Sequence, residues 1–515
     1  MLEQTRQNAG SFALWTVLAL CLAAGAVSVA NPELTPWAFL AVGLAGLAAL
    51  WVIRFDITLW FWVWVLSYGL LDRQFLHLQL AGLPNMTIPR FIALGAFASF
   101  GIYFCTHRRL VKLQSPLHWM IIAFLGYVAI NASMFGWTAS SEVGRTWPYY
   151  RFLEPLLLPI MLYFLVVSSL RSRRQILTAL VPLVIYGWYA LYIGYLQYAA
   201  IRGWEGARSL IWPSYINMPS WGSNYGIHFD RARGAYALSN PQAVLLIQLL
   251  FVDLFLIRRI QGPLKLMLIV QAILIPPAVF FTGLRSAYLA LLLCGAVWCI
   301  WGGRLRLGKV KLAMIALVVV IACSYAWENL LTRDRATGGV GQIQETQARL
   351  VLAQQAVEIA KEHPLTGVGF GHFLDYQLAL NRDPGSPHAN IFSVLTQHNL
   401  FLAILAETGI IGLILIVTVF VMLFGQIMRL YRRLPLVNGG WLSRDLVIVG
   451  FIAMLNYLIN AMFVDPLWDP ASNALFWGFM ALMVGYNRLV EPASLDLASK
   501  QAIGPEPLCR CSGAC

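Results

Sequence analysis

A series of long apolar runs, separated by short polar connectors, constrains the fold of this chain more than any other feature. A transmembrane helix needs about 20 mostly apolar residues, and the sequence holds about 14 runs near that length. Apolar residues make up 59% of the 515 residues and charged residues only 11%, which is typical of a polytopic membrane protein. We therefore predict an all-α membrane fold of about 12–14 transmembrane helices. The predicted spans are residues 11–30, 36–53, 57–71, 89–105, 118–136, 152–170, 176–200, 241–258, 264–281, 285–302, 311–328, 399–425, 445–463 and 470–487.

Basic residues in the short connectors give the predicted topology. With the N-terminus in the cytoplasm, the arginines and lysines of these connectors fall on one side throughout, as the positive-inside rule requires. Both termini are then cytoplasmic, and two long segments, 201–240 and 329–397, lie on the outer side. The first run ends in Ser28-Val29-Ala30, which resembles a signal-peptide cleavage site. Its apolar part is long for a signal peptide, so an uncleaved first span is favoured.

These segments predict five parts of the chain. They are an N-terminal transmembrane bundle with its outer loop (1–240), the transmembrane helices of the catalytic half (241–328), a large outer loop that contains helices (329–397), C-terminal transmembrane helices (398–488) and a cytoplasmic tail (489–515).

Arginines on the outer side oppose the charge rule and need another explanation. An arginine at the end of a span is costly unless it has an acidic partner, an anionic ligand or access to water. Guanidinium groups bind phosphate oxygens through two parallel hydrogen bonds, which makes these side chains candidates for anion binding. Snorkelling side chains or ion pairs, such as one between Arg231 and Asp230, are the alternative. The outer arginines are Arg145, Arg151, Arg231, Arg233, Arg285, Arg333, Arg335 and Arg349.

Two groups of these arginines lie next to predicted span starts. Arg231 and Arg233 precede Asn240-Pro241, where an N-cap residue and a proline at the first helical position predict the start of a span. Arg285 opens the next outer-side span after a tight turn. Pro276-Pro277 is predicted to break the span before it, and irregular backbone at that depth would face protein or a wet cavity.

The large outer loop is predicted to contain an amphipathic helix over Gln344–Lys361, with Arg349 beside its apolar face. His363-Pro364 ends this helix, and a glycine-rich segment, GVGFG at 367–371, follows. No strand precedes this segment and no Lys-Ser or Lys-Thr follows it, so we predict a tight turn rather than a nucleotide-binding loop. The residues of the predicted apolar face are Leu350, Ala353, Val357 and Ala360.

The stretch QHNLFLAILAETGIIG carries His398 and Asn399 at the mouth of an apolar run, with Glu407 further along. Nine residues in a straight helix rotate roughly 180° and rise about 13 Å, so Glu407 cannot orient His398 directly. We predict instead that Glu407 pairs with a basic group of another helix. His398 would face the outer loop as a candidate base, or as an interfacial histidine bonded to that loop.

A metal site is a rival interpretation of the histidines and aspartates in this region, but none has a compact ligand spacing. We therefore predict no metal and no cofactor. The three cysteines of the C-terminal tail fit no zinc pattern and no prenylation box. A nucleic-acid partner is not expected, because no basic face is interleaved with aromatics. The histidines and aspartates are His363, His372, His388, His398, Asp375 and Asp383, and the tail cysteines are Cys509, Cys511 and Cys515.

Four motifs in a fixed order resemble the O-antigen ligase and polymerase superfamily of bacterial envelope glycan assembly. They are RARGAYALSNPQ, TGLRSAYLAL, an arginine-containing helix that leads into HPLTGVGFGHF, and HNLFLAILAETGIIGL, which together cover about residues 230–425. The resemblance implies a GT-C-like, metal-independent glycosyltransferase of the bacterial inner membrane with its active site facing the periplasm.

The resemblance also implies substrates and residue roles. The donor would be a glycan on undecaprenyl diphosphate, and the acceptor a lipid A core or another glycan, with membrane lipids around the protein. Arg231 or Arg233, together with Arg285, match diphosphate-binding arginines, and Arg349 matches an arginine of the loop helix whose role is less clear. His398 matches the histidine that deprotonates the acceptor, while Asn399 and Glu407 are assigned positioning roles. The number of spans exceeds that of a typical ligase and is compatible with an exopolysaccharide polymerase, so ligase, polymerase and protein O-glycosylase stay open.

A transporter or flippase is the main alternative. Such proteins carry internal repeats and ionisable groups near the bilayer midplane. We find no repeat between the two halves of this sequence, and the charged motifs cluster on the outer side. A non-catalytic scaffold is a third interpretation, but it gives no reason for outer arginines in several separate spans.

Overall fold

The computed structural model describes residues 68, 89–90, 92–93, 95, 115–138, 148–170, 172–211, 231–236, 238–301, 343–382, 397–434, 441 and 443–502. The predicted spans at 11–30, 36–53, 57–71, 89–105 and 311–328 lie wholly or mostly outside these residues, as do the tail cysteines. In the described part the chain is helical and contains no strand.

The described helices are numbered in chain order. They are α1 (Pro116–Phe135), α2 (Pro148–Phe152), α3 (Leu158–Ser169), α4 (Arg173–Thr178), α5 (Val181–Ile201), α6 (Glu205–Ser209), α7 (Ser239–Ile257), α8 (Pro263–Phe281), α9 (Arg285–Trp301), α10 (Ile343–Glu362), α11 (Phe373–Arg382), α12 (Leu400–Arg433), α13 (Arg444–Ala461) and α14 (Pro470–Ala502). A π-helical turn, Leu153–Leu157, joins α2 to α3, and a short 3₁₀ turn, Pro466–Trp468, precedes α14.

Nine of the predicted spans coincide with these helices. Within the described residues, seven helices are long and apolar enough to cross a membrane. This confirms a polytopic membrane architecture, while the full count of spans stays a prediction. Helix α7 forms the centre of the bundle, since 89% of its apolar window is buried, whereas only 28% of the corresponding window of α8 is buried. The outward faces of helices such as α8 are apolar, as lipid contact requires.

Antiparallel packing places the candidate residues at one end of the bundle, which we call the site end. The backbone N–H of Ala232 donates to Phe281 O at the end of α8, and Ser286 at the start of α9 bonds Asn460 at the end of α13. At the opposite end, the basic end, Arg259 donates to Asp445 and Arg433 donates to Asn487. Of the predicted connector arginines, the structure describes Arg258, Arg259, Arg433 and Arg444 at this end.

Two local predictions were wrong. Helix α8 runs through Pro276 and Pro277 without ending. The two prolines have no N–H group to donate within this turn of the helix. The hydroxyl of Tyr195 in α5 donates to the carbonyl of Leu274 beside it. A neighbouring helix therefore donates a hydrogen bond to this part of α8.

The predicted face of the loop helix was the second error. Helix α10 spans Ile343–Glu362, as expected, but Leu350 is 62% exposed and Val357 is 42% exposed. The buried side is the neighbouring one, which packs against Phe373, Leu374 and Ala406. Arg349 lies three residues before Leu352, the first residue of this buried side, and is itself exposed. The buried residues of α10 are Leu352, Gln355, Ala356 and Ile359.

Candidate functional site

The stretch that carries His398 does not continue as a straight helix. Asn399 caps the start of α12, and its side-chain oxygen accepts hydrogen bonds from the N–H groups of Phe401 and Leu402. Two residues beyond Glu407, Gly409 adopts φ 67° and ψ −169°, which interrupts the helix. This interruption lies within the predicted span 399–425, beyond the nine residues from His398 to Glu407. His398 lies just before the cap, is half-buried and stands outside the helix.

The segment 363–371, which contains the predicted GVGFG turn and is called the glycine-rich segment from here on, packs against this interruption. The N–H groups of Val368 and Gly369 donate to Ala406 O and Glu407 O, and Ile410 N–H donates to Pro364 O. The segment thus supplies partners for backbone groups that the break in α12 leaves outside the helical pattern. The glycines adopt positive φ as a tight turn requires, which confirms the predicted turn.

Helix α1 also bonds to the break in α12 and to the glycine-rich segment. Tyr127 donates through its hydroxyl to Thr408 O at 2.8 Å. Asn131 donates to Thr366 O and accepts from Phe370 N–H, so its amide bridges two points of the glycine-rich segment. The break, the glycine-rich segment and α1 therefore form one hydrogen-bonded unit.

Gly409→Ala is expected to lower the free energy of unfolding by about 3 kcal/mol or more. Positive φ with extended ψ is essentially restricted to glycine. A Cβ at Gly409 would also lie 2.2 Å from the carbonyl oxygen of Leu365. Gly425→Ala on the same helix is the matched control, because a Cβ there meets open space and alanine favours a helix by about 1 kcal/mol. Thermal unfolding of the two purified variants in detergent measures the difference, and equal melting temperatures would contradict this account of the break.

Glu407 pairs with Arg151 at the end of α2, which confirms that its partner lies on another helix. The same guanidinium donates to Asp465 at 3.0 Å, and all three side chains are at most 3% exposed. Its flat faces also contact the rings of Phe370 and Trp468, at 5.3 and 4.8 Å from the ring centroids. The outer arginine at 151 is thus explained by acidic partners.

The turn that joins α13 to α14, residues 462–469, contacts several parts of the site. Asp465 caps the 3₁₀ turn by accepting from Leu467 N–H, and Asp469 accepts from Ser472 N–H at the start of α14. Asn240 donates to Asp469 at 3.0 Å. Asn240 was predicted to cap α7, but that helix begins at Ser239, and the Asn240 amide is used in this contact.

The segment 231–234 is fixed against α5 and α8. The side chain of Gln197 accepts from the N–H groups of Arg233 and Gly234 and donates to Gly234 O. The side chain of Arg231 lies against the turn before α9, since a Cβ on Gly283 would be 3.0 Å from its Cγ. Arg231 and Arg233 are buried, at 9% and 6% exposure.

Arg285 is the first residue of α9 and is half-buried, two residues after the turn that Arg231 contacts. Its neighbour Ser286 donates to Asn460 at 3.0 Å, close to the end of α13. Asn399 donates to Met462 O, just beyond the same helix end. Two candidate groups, the arginine corner (Arg231, Arg233 and Arg285) and the His398–Asn399 pair, are therefore both linked to the end of α13, through Ser286 and Asn399.

Other predicted residues lie elsewhere at the site end. Arg349 is exposed on α10, and Glu407 faces the buried cluster rather than His398. The imidazole of His372 contacts Gly136 O and Asp375, and the ring of His363 packs edge-on against Tyr376. In the described ranges, no group of three His, Cys, Asp or Glu side chains is arranged to hold a metal ion.

Sequence reasoning missed the contributions of Gln197, Asp465 and Asp469. The two aspartates had a readable signal, since each precedes a proline in Asp465-Pro466-Leu467-Trp468-Asp469-Pro470, the pattern of an N-cap followed by proline at the first helical position. Gln197 had none, because it lies in the middle of an apolar run and its partners are distant in sequence.

Comparison with known families supports the resemblance. Residues 269–417 match the family model described as O-antigen ligase. The match supports the O-antigen ligase and polymerase superfamily and a function of that general type, in a multi-pass protein of the inner membrane. It includes the motifs around Arg285, Arg349 and His398 and excludes the motif around Arg231. The comparison with curated proteins found no match.

Proposed function

We propose that this chain, whose residues 269–417 carry the O-antigen ligase match, transfers a glycan from undecaprenyl diphosphate to an acceptor hydroxyl at the periplasmic face of the inner membrane. The observation that carries the proposal is the meeting of the arginine corner and the His398–Asn399 pair at the end of α13.

The arginine corner suits a lipid diphosphate. Arg231 and Arg285 come from segments that are distant in sequence and are brought together at the turn before α9. When the glycan leaves the diphosphate, negative charge develops on the phosphate oxygens. Guanidinium groups that are already fixed in place stabilise this charge without reorganisation. Arg285 also lies at the N-terminus of α9, where the helix dipole favours an anion. These groups can provide the charge stabilisation that a metal ion gives in other transferases.

His398 suits the role of general base. The residue is half-buried, lies just outside the cap of α12 and is held next to the end of α13 by the Asn399 bond to Met462. A histidine can accept a proton from an acceptor hydroxyl near neutral pH. Attack of the acceptor oxygen on the anomeric carbon forms the new glycosidic bond and breaks the bond to the diphosphate, while the acceptor proton passes to His398. The base and the arginines that stabilise the leaving undecaprenyl diphosphate thus come from different segments of the chain.

Orientation follows from the two ends of the bundle. The basic end carries Arg258, Arg259, Arg433 and Arg444 of the described connectors. We assign this end, with both chain termini, to the cytoplasm. The site end, with the arginine corner and His398, then faces the periplasm. Arg349 on the exposed part of α10 would contact the outer part of the donor rather than the reacting atoms.

Purified protein supplied with a glycan on undecaprenyl diphosphate tests the proposal. Three acceptors, a lipid A core, a second lipid-linked repeat unit and a serine-containing protein, distinguish ligase, polymerase and protein O-glycosylase. We expect mass spectrometry to detect a new glycosidic bond with one of them. The alternative is a transporter or flippase, to which the buried Asp253 within α7 would be relevant. Translocation of the lipid-linked glycan in liposomes without a new glycosidic bond would contradict the transferase proposal.

A further inference from the structure

The turn 462–469 contacts both halves of the candidate site. Its first residue, Met462, accepts the Asn399 bond beside His398, and its last, Asp469, accepts from Asn240 at the start of α7. Helix α7 follows the segment that carries Arg231 and Arg233. The turn therefore links the segment of the candidate base with the start of the helix that follows the arginine corner.

Arg151 fixes the turn to the broken start of α12. One guanidinium bonds Glu407 of α12 and Asp465 of the turn, while Phe370 and Trp468 contact its faces. Because the fork of an arginine binds in defined directions, this arrangement sets a distance and an angle between the two carboxylates. A second bond, from Asn399 to Met462, joins the same two segments next to His398.

The charges of this cluster are unequal, since one guanidinium serves two carboxylates. Burial raises the pKa of the Asp465 carboxyl to about 7; Arg151 acts against this shift and Glu407 adds to it. Tyr457 of α13 is a further titratable group near this turn, and Asp465 and Asp469 both act on it. The bond between Arg151 and Asp465 is therefore strongest above neutral pH, where Asp465 is ionised.

We propose that Arg151 and Asp465 are positioning residues that hold the turn 462–469 against the start of α12 and thereby place His398 relative to the arginine corner. This inference rests on the proposed function for its catalytic consequence. Its structural part concerns only the turn and its neighbours.

Asp465→Asn tests the proposal, because it is nearly isosteric but removes the negative charge that faces Arg151. We expect turnover at pH 8 to fall about 10- to 100-fold, since displacement of a reacting group by about 1 Å costs up to about 100-fold. The KM for the donor is expected to stay within about threefold, because the arginine corner is retained. Asp445→Asn is the matched control, since Asp445 pairs with Arg259 at 3.0 Å at the basic end. Equal turnover in the two variants would overturn the proposal.

The pH dependence separates positioning from a merely structural role. The ratio of wild-type to Asp465→Asn turnover should rise with pH through about 7, as Asp465 ionises and its bond to Arg151 strengthens. The stability of wild type relative to Asp465→Asn should instead fall as the pH rises. Folded Asp465 holds its proton more tightly than the unfolded residue, whose pKa is about 3.9, so wild type loses stability relative to the variant between about pH 4 and 7. A turnover ratio that follows the stability difference would contradict positioning.

Hydrogen exchange gives a readout that does not require activity. Asp465→Asn is expected to increase amide exchange at residues 397–402 and 462–469 relative to Asp445→Asn. If wild type transfers no glycan but this increase is seen, the proposed function fails and the positioning role stands. Unchanged exchange in these segments would overturn the positioning role, whatever the activity of the protein.

Discussion

His398→Ala is expected to lower glycan transfer by about 100- to 10,000-fold, the range that general base catalysis contributes. The loss should appear in turnover, because His398 is proposed to act on the acceptor hydroxyl and not on the donor diphosphate. Donor binding should therefore stay within about threefold of wild type. His398→Gln is expected to be as inactive as alanine, since an amide can accept a hydrogen bond but cannot take up the proton.

The matched control for this prediction is His363→Ala. His363 is also at the site end, but it is exposed and its ring packs against Tyr376 rather than beside α13. Steady-state transfer with purified variants, together with donor binding, measures the effect. Full transfer by His398→Ala in a folded protein would exclude this residue as the base, and an equal loss in His363→Ala would point to general damage of the outer segments.

The membrane architecture could be predicted from the sequence because its cause is local. A run of about 20 apolar residues is stable in lipid only as a helix, which satisfies its own backbone groups. The predicted runs at 118–136 and 445–463, for example, coincide with α1 and α13. The charges of the short connectors then predict which end faces the cytoplasm, without knowledge of any tertiary contact.

The break in α12 could not be predicted in the same way, because its cause lies elsewhere in the chain. A single glycine in an apolar run is compatible with a continuous helix. Gly409 departs from helical geometry where the segment around Gly367 packs against it, and a Cβ at either glycine would collide with backbone of the other segment. The pattern of α10 was ambiguous for a related reason, since alanines and aliphatic residues occur on two adjacent sides of that helix.

The residue types of the candidate site could be predicted from the sequence, but the partners of each side chain could not. Outer arginines oppose the charge rule, so sequence alone marks both Arg151 and Arg285 as unusual. Only the fold distinguishes their roles. Arg151 bonds two carboxylates, 256 and 314 residues away, and joins segments of the structure. Arg285 opens a helix beside a turn that a second arginine contacts. Long-range contacts of this kind leave no local pattern in the sequence.

Arg285→Ala is expected to lower transfer by about 100- to 1,000-fold, the loss typical of removing one group that stabilises developing negative charge. Unlike the histidine variant, it should also weaken donor binding, because the guanidinium is proposed to contact the diphosphate before and during bond cleavage. Arg285→Lys should recover part of the binding, since an ammonium keeps the charge but lacks the bidentate fork.

Arg208→Ala is the matched control for this loss, because Arg208 is exposed on α6 and pairs at the surface with Glu205, a contact of little energetic value. The measurement is transfer and donor binding by Arg285→Ala, Arg285→Lys and Arg208→Ala at several salt concentrations. If Arg285 binds the diphosphate, the difference in donor binding between Arg285→Ala and wild type should shrink as salt rises, since screening weakens charge–charge attraction. Wild-type donor binding in Arg285→Ala would remove this residue from the diphosphate site, and would leave the buried Arg231 and Arg233 to account for it.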